Sequence, residues 1–179
     1  MSRILRITGL AGLVAVAIIN TACSDAALNG VDDTAAGTCS GGADFVEASA
    51  ASMTITRLQV DNQPVQATFS SSSVFGGEPS ACFDAATNTA SLIIQVGNKS
   101  YGTITFGSGV EGQIDLDGSA GTLIIDLHGD DTPVIFGKNQ FTTGSWFVNS
   151  LTPLDVDVQG DANANGRFLS ITMAASVTP

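Results

Sequence analysis

From Ser52 onward apolar residues recur at every second position, and that period restricts the chain to β-strands with one buried and one wet face. Ile114 and Leu116 alternate with Gln113, Asp115 and Asp117. Leu154, Val156 and Val158 alternate with Asp155, Asp157 and Gln159, and Leu169, Ile171 and Met173 with Ser170 and Thr172. Residues 92–96 and 123–127 are more uniformly apolar and belong in central strands. Further strands are predicted over 53–60, 65–69, 101–106, 134–136 and 145–151. Within 53–60 the apolar parity shifts between Ile55 and Leu58, which predicts a β-bulge.

The gaps carry turn chemistry: Asp61-Asn62, Gly97-Asn98, Asp117-Gly118, Gly129-Asp130 and Asn165-Gly166. No helical period is sustained after Ser52, so a parallel sheet with crossover helices is excluded. Nine or ten short strands in about 125 residues predict an all-β, antiparallel two-sheet sandwich of immunoglobulin-like or jelly-roll type. One short helix is expected before it, over 44–51, with Asp44 as N-cap and Glu47 three residues on. Residues 70–80, rich in serine, read as a surface loop leading to Cys82.

The N-terminus sets the address. Arg3 and Arg6 precede an uncharged apolar run, residues 7–19, too short for a permanent span of roughly 20 residues but suited to a signal peptide. It ends in Asn20-Thr21-Ala22-Cys23. This tetrad resembles the lipobox of bacterial lipoproteins, with Asn20 standing where that family has an aliphatic residue. The resemblance covers the first 23 residues. It implies that residues 1–22 are a signal peptide, that Cys23 is acylated and becomes the mature N-terminus, and that the chain sits lipid-anchored in the bacterial envelope. The other reading is plain secretion with cleavage after Ala26, since Ser24 and Ala26 fit the small-x-small rule. Residues 23–43 are small and polar, as in a flexible tether, and the sandwich domain is expected over 44–179.

Three cysteines are an odd number for an exported chain. Acylation of Cys23 leaves Cys39 and Cys82, which an oxidising compartment joins. A zinc set is a poor alternative, with two cysteines 43 positions apart and a single histidine. The formal charge of −11 becomes more negative still once Arg3 and Arg6 leave with the signal peptide. The remaining cations, Arg57, Lys99, Lys138 and Arg167, are scattered, which excludes nucleic acid as a partner. An anionic membrane surface repels such a domain, so membrane attachment is assigned to the lipid.

Few residues point to chemistry. Asp161-Ala-Asn163-Ala-Asn165-Gly166 matches the first half of a calcium loop, with alternate side-chain oxygens and a sharp Gly turn. Its twelfth position is Thr172 instead of a bidentate Glu, so a full EF-hand is ruled out. Two readings stay open: a calcium site at Asp161, Asn163 and Asn165, and a plain Asn-Gly hairpin turn. His128, the single histidine, precedes Gly129-Asp130-Asp131 and reads as a solvated turn residue rather than a general base. No G-x-S-x-G elbow occurs, and the strand aspartates read as wet-face residues, so no catalytic residue is assigned. Trp146 and Val148 share one strand face, Phe147 and Asn149 the other, and tryptophan is expected in the core. The functional expectation is a non-catalytic surface lipoprotein with a structural or protein-binding sandwich and no cofactor. The alternatives are a calcium-assisted carbohydrate-binding or adhesive module and, less favoured, a hydrolase.

Overall fold

A computed structural model of the chain describes Cys39 and residues 44–71, 79–128 and 133–179. In chain order the strands are β1 (Val46–Glu47), β2 (Ala50–Val60), β3 (Gln63–Pro64), β4 (Ala67–Thr68), β5 (Ala81–Asp84), β6 (Thr89–Val96) and β7 (Lys99–Gly107). There follow β8 (Gly112–Ile114), β9 (Thr122–Leu127), β10 (Val134–Gly137), β11 (Phe141–Leu151), β12 (Leu154–Ala164) and β13 (Arg167–Thr178). A single 3-10 turn, Lys138–Gln140, joins β10 to β11.

All pairings are antiparallel and make two packed sheets. The first runs β1-β5-β6-β7-β9-β10, with β4 also on β6. The second runs β3-β2-β13-β12-β11-β8. The predicted all-β two-sheet sandwich is therefore the fold. Strands β4 and β5 are two pieces of one edge strand along β6: Thr68 pairs with Gln95, Ala81 with Leu92, and Ile93 N–H donates to Ser80 O at 2.9 Å between them. The serine-rich stretch leaves the sheet between these pieces, and its residues 72–78 lie outside the described residues.

The alternation sorts the faces as its period requires. On β12 Leu154, Val156, Val158, Ala162 and Ala164 point into the core, while Asp157, Gln159 and Asn163 are exposed. Leu92, Ile94, Ile104, Phe106, Ile125 and Phe136 face them from the first sheet, essentially without solvent exposure. Trp146 is fully buried among them, as expected of tryptophan. The predicted bulge in β2 is present: Ile55 pairs with Met173 and Arg57 with Thr172, leaving Thr56 as the extra residue.

Three local expectations need correction. Residues 44–51 do not form a helix; Val46 and Glu47 pair with Phe83 and Cys82, and β2 begins at Ala50. A helix there has only Phe45 and Val46 to bury, whereas β1 lies beside a strand covalently tied to Cys39. Leu116, Asp115 and Asp117 are not in a strand, because β8 ends at Ile114. The turn at Asp117-Gly118 is no hairpin either: β8 belongs to the second sheet and β9 to the first, so the chain crosses between layers there.

Candidate functional site

The predicted disulfide is present. Cys39 and Cys82 are bonded with Cα atoms 5.8 Å apart, and both are buried. Cys82 sits on β5, so residue 39 is pinned to the first sheet. Cys23 and the rest of residues 1–38, where the signal peptide and most of the tether are expected, lie outside the described residues, as do residues 40–43. Among the described residues no helix is long and apolar enough to cross a membrane.

The candidate calcium residues lie on a regular hairpin. Strand β12 stays paired with β13 through Ala164↔Arg167, so the connection is only Asn165 and Gly166. Both have positive φ, 53° and 79°, as a type I′ turn demands. Asp161 and Asn163 are successive outward positions on β12, roughly 7 Å apart along a strand. Asp161 Oδ2 already accepts from Thr143 Oγ1 at 3.1 Å. Asp157, further back on β12, accepts from Asn149 Nδ2 at 2.9 Å. Among the described residues no three His, Cys, Asp or Glu side chains gather as a metal cluster.

A second tie crosses this end of the sheet. Asp61, in the β2–β3 turn, accepts from the Phe168 backbone N–H at 2.8 Å and pairs with Arg167. The Phe168 hydrogen bond, followed by the Arg167 contact, holds the Asp61 carboxyl below the usual value despite some opposing desolvation. Asp84 is lowered likewise, first by the Thr87 hydroxyl and then by the Ala86 backbone N–H.

His128 does not stand alone in solvent. Its Nε2 lies 3.2 Å from Asp126 Oδ1, both side chains being about three-quarters or more covered. That oxygen is buried without an aligned hydrogen bond, and burial raises the Asp126 pKa while His128 pulls the other way. The pair was legible in principle, because residues 126 and 128 share one face of a strand. Asp130 and Asp131, which sequence set beside His128, lie outside the described residues.

The outer face of the second sheet carries an exposed aromatic ring. Phe147, 45% exposed, sits there opposite Asp157 on one side and Gln113 on the other, with Asn149 two residues along. Trp146 cannot serve as a surface platform because its ring is inside the core. The aromatic on this face is thus its sequence neighbour. Near β3, a shallow open groove runs between Thr56–Leu58 and Pro64–Gln66.

Comparison with known proteins adds no identity: no family profile matches the chain, and no curated protein or solved structure does.

Proposed function

We propose that this is a lipid-anchored, non-catalytic protein of the bacterial envelope, whose sandwich has a structural or protein-binding role. The observation that carries the reading is the Cys39–Cys82 disulfide. Disulfides persist in oxidising compartments, and this one leaves Cys23 as the unmatched cysteine at the place where the lipobox resemblance puts the acyl group. Pinning the tether at Cys39 leaves residues 24–38 as the spacer between lipid and domain. At about 3.3–3.6 Å per extended residue, such a spacer reaches at most roughly 50 Å. The binding role rests on the outer face of the second sheet, where Phe147 is set among Asp157, Asn149 and Gln113.

Metabolic labelling with a palmitate analogue tests the anchor. Label is expected on the native chain, and Cys23→Ser is expected to lose it and leave the membrane fraction. An unlabelled native chain sinks the proposal.

The exposed Phe147 also favours a second reading, a carbohydrate-binding or adhesive face. An aromatic ring stacks on sugar C–H groups while neighbouring carboxylates and amides meet the hydroxyls. Glycan binding abolished by Phe147→Ala supports that reading, and calcium dependence removed by Asp161→Ala gives it the calcium-assisted form. Equal binding by native chain and Phe147→Ala rejects it.

A further inference from the structure

Among the described residues the sandwich has one long edge with no strand beside it. Strand β2 is eleven residues long and an outer strand of its sheet, covered only at its C-terminal end, where Gln59 and Val60 pair with β3 and Leu58 O accepts from Val65 N–H. Residues 50–55 have β13 on one side and, among the described residues, no strand on the other. Ser49 N–H donates to Thr178 O on β13. Phe168 O and Thr178 O both accept from backbone N–H groups on the β2 side, so the even-numbered residues of β13 turn their backbone groups to β2. Their register partners Ala50, Ser52 and Thr54 turn theirs to β13, and Ala51, Met53 and Ile55 turn theirs away from it, along the free edge.

The other edges are protected in the ways natural sheets use. β1, β8 and β10 are two, three and four residues long. β11 extends beyond β8 but is broken by two register shifts. Residues 50–55 carry no bulge, no proline and no charge. The core is also unfinished beside them. Ala51, Met53 and Ile55 face inward yet stay half-exposed, while their neighbours on β13, Met173, Ala175 and Val177, are 3% exposed or less.

We infer that this edge is a self-association site at which a second copy of the chain adds its own β2 antiparallel, joining the two sheets across a two-fold axis at Ser52. Charge chooses the partner and the direction. Residues 48–56 are uncharged in a strongly acidic chain, and they are bounded by Glu47 and Arg57, both exposed. Antiparallel pairing about Ser52 brings the Glu47 end of one copy toward the Arg57 end of the other, twice. Parallel pairing sets like against like. In the antiparallel register Ser52 faces Ser52 as a non-hydrogen-bonded pair, Ala50 faces Thr54, and Ala51 and Met53 of the two copies exchange about four backbone hydrogen bonds. Ala51 then lies opposite Met53 on the core side, a small residue against a large one, which covers both half-exposed positions. A two-fold interface of this kind is closed, so it yields a dimer and no fibre.

Cysteine scanning in the membrane fraction tests it with the full chain. Directly opposed residues at a non-hydrogen-bonded antiparallel site have Cα atoms about 4.5 Å apart, at the short end of the disulfide range. Ser52→Cys is expected to cross-link to its own copy under mild oxidation. Ser176→Cys, in the same row but on β13, is expected to stay monomeric on a non-reducing gel. In detergent, the native chain is expected to sediment as a dimer, and Ser52→Lys, which opposes two like charges on the axis, to weaken the dimer at least tenfold with an unchanged far-ultraviolet spectrum. A monomeric native chain, equal cross-linking of the two cysteine variants, or an undiminished Ser52→Lys dimer overturns the assignment.

Discussion

At the scale of single residues, two contacts show how closely this chain is fitted. Gly121 has φ of +68°, and a Cβ there falls 2.5 Å from Trp146 Cη2 and 2.9 Å from Gly107 O. The crossing from β8 to β9 thus needs glycine twice over, for its backbone and for the indole lying against it. Gly121→Ala is expected to cost about 2–4 kcal/mol, combining overpacking with the left-handed strain. A thermal or urea melt reads it, and a loss under 1 kcal/mol contradicts this packing. Asp61 works through hydrogen bonds. Its folded-state pKa is lowered, so its contribution is complete above the usual carboxylate value and is lost as pH falls through the lowered one. Asp84 adds in the same direction. Asp126 opposes them: its raised pKa means the folded chain takes up that proton first, so stability from this group rises as pH falls. Asp61→Asn is expected to lower the melting temperature at neutral pH and to make the decline towards acid shallower. Asp126→Asn is expected to raise stability at neutral pH.

At the scale of elements, the hairpin β12–β13 bears on two sequence readings. The D-x-N-x-N-G pattern matches both a calcium loop and a strand ending in an Asn-Gly turn, because alternate residues share a side in either case. The strand continues to Ala164 and the turn is two residues. Calcium at 10 mM is therefore expected to shift the melt no more than magnesium does, through screening alone. A calcium-specific gain lost in Asp161→Ala contradicts this. Much of the architecture was legible from period two: the buried rows of β6, β9, β12 and β13, the bulge at Thr56, and the turns at Asp61-Asn62, Gly97-Asn98 and Asn165-Gly166. The errors fell where local pattern is weakest. Residues 44–51 carry a capping signature but few apolar residues, so pairing beside the disulfide determines their form. The start of β11 was missed because Thr142, Thr143 and Gly144 carry no alternation; Gly144, with φ of 131°, sits within 2.1 Å of Gln159 O for any added Cβ. The layer crossing after β8 could not be read, since Asp117-Gly118 signals a turn and not which sheet follows it. The candidate site was less legible than the fold. Exposure of Phe147 beside buried Trp146 follows from alternation, yet its neighbours Gln113 and Asp157 come from distant strands.

At the scale of the whole molecule, the disulfide ties residue 39 to the first sheet. It closes a loop of 43 residue steps between Cys39 and Cys82. The chain-entropy model gives about 3–4 kcal/mol for a loop of that length. Reduction is expected to lower stability by about that amount and to leave the strand spectrum in place, because the core lies between the sheets and both cysteines belong to one edge. Collapse of the spectrum on reduction alone contradicts that view. The envelope assignment itself is tested most directly by mass spectrometry on unreduced protein purified from membranes. The account predicts a mature chain that begins at Cys23 with an acyl mass added, together with a peptide pair linked through Cys39 and Cys82. A chain that begins after Ala26, an unmodified Cys23, or Cys39 and Cys82 recovered as free thiols contradicts it.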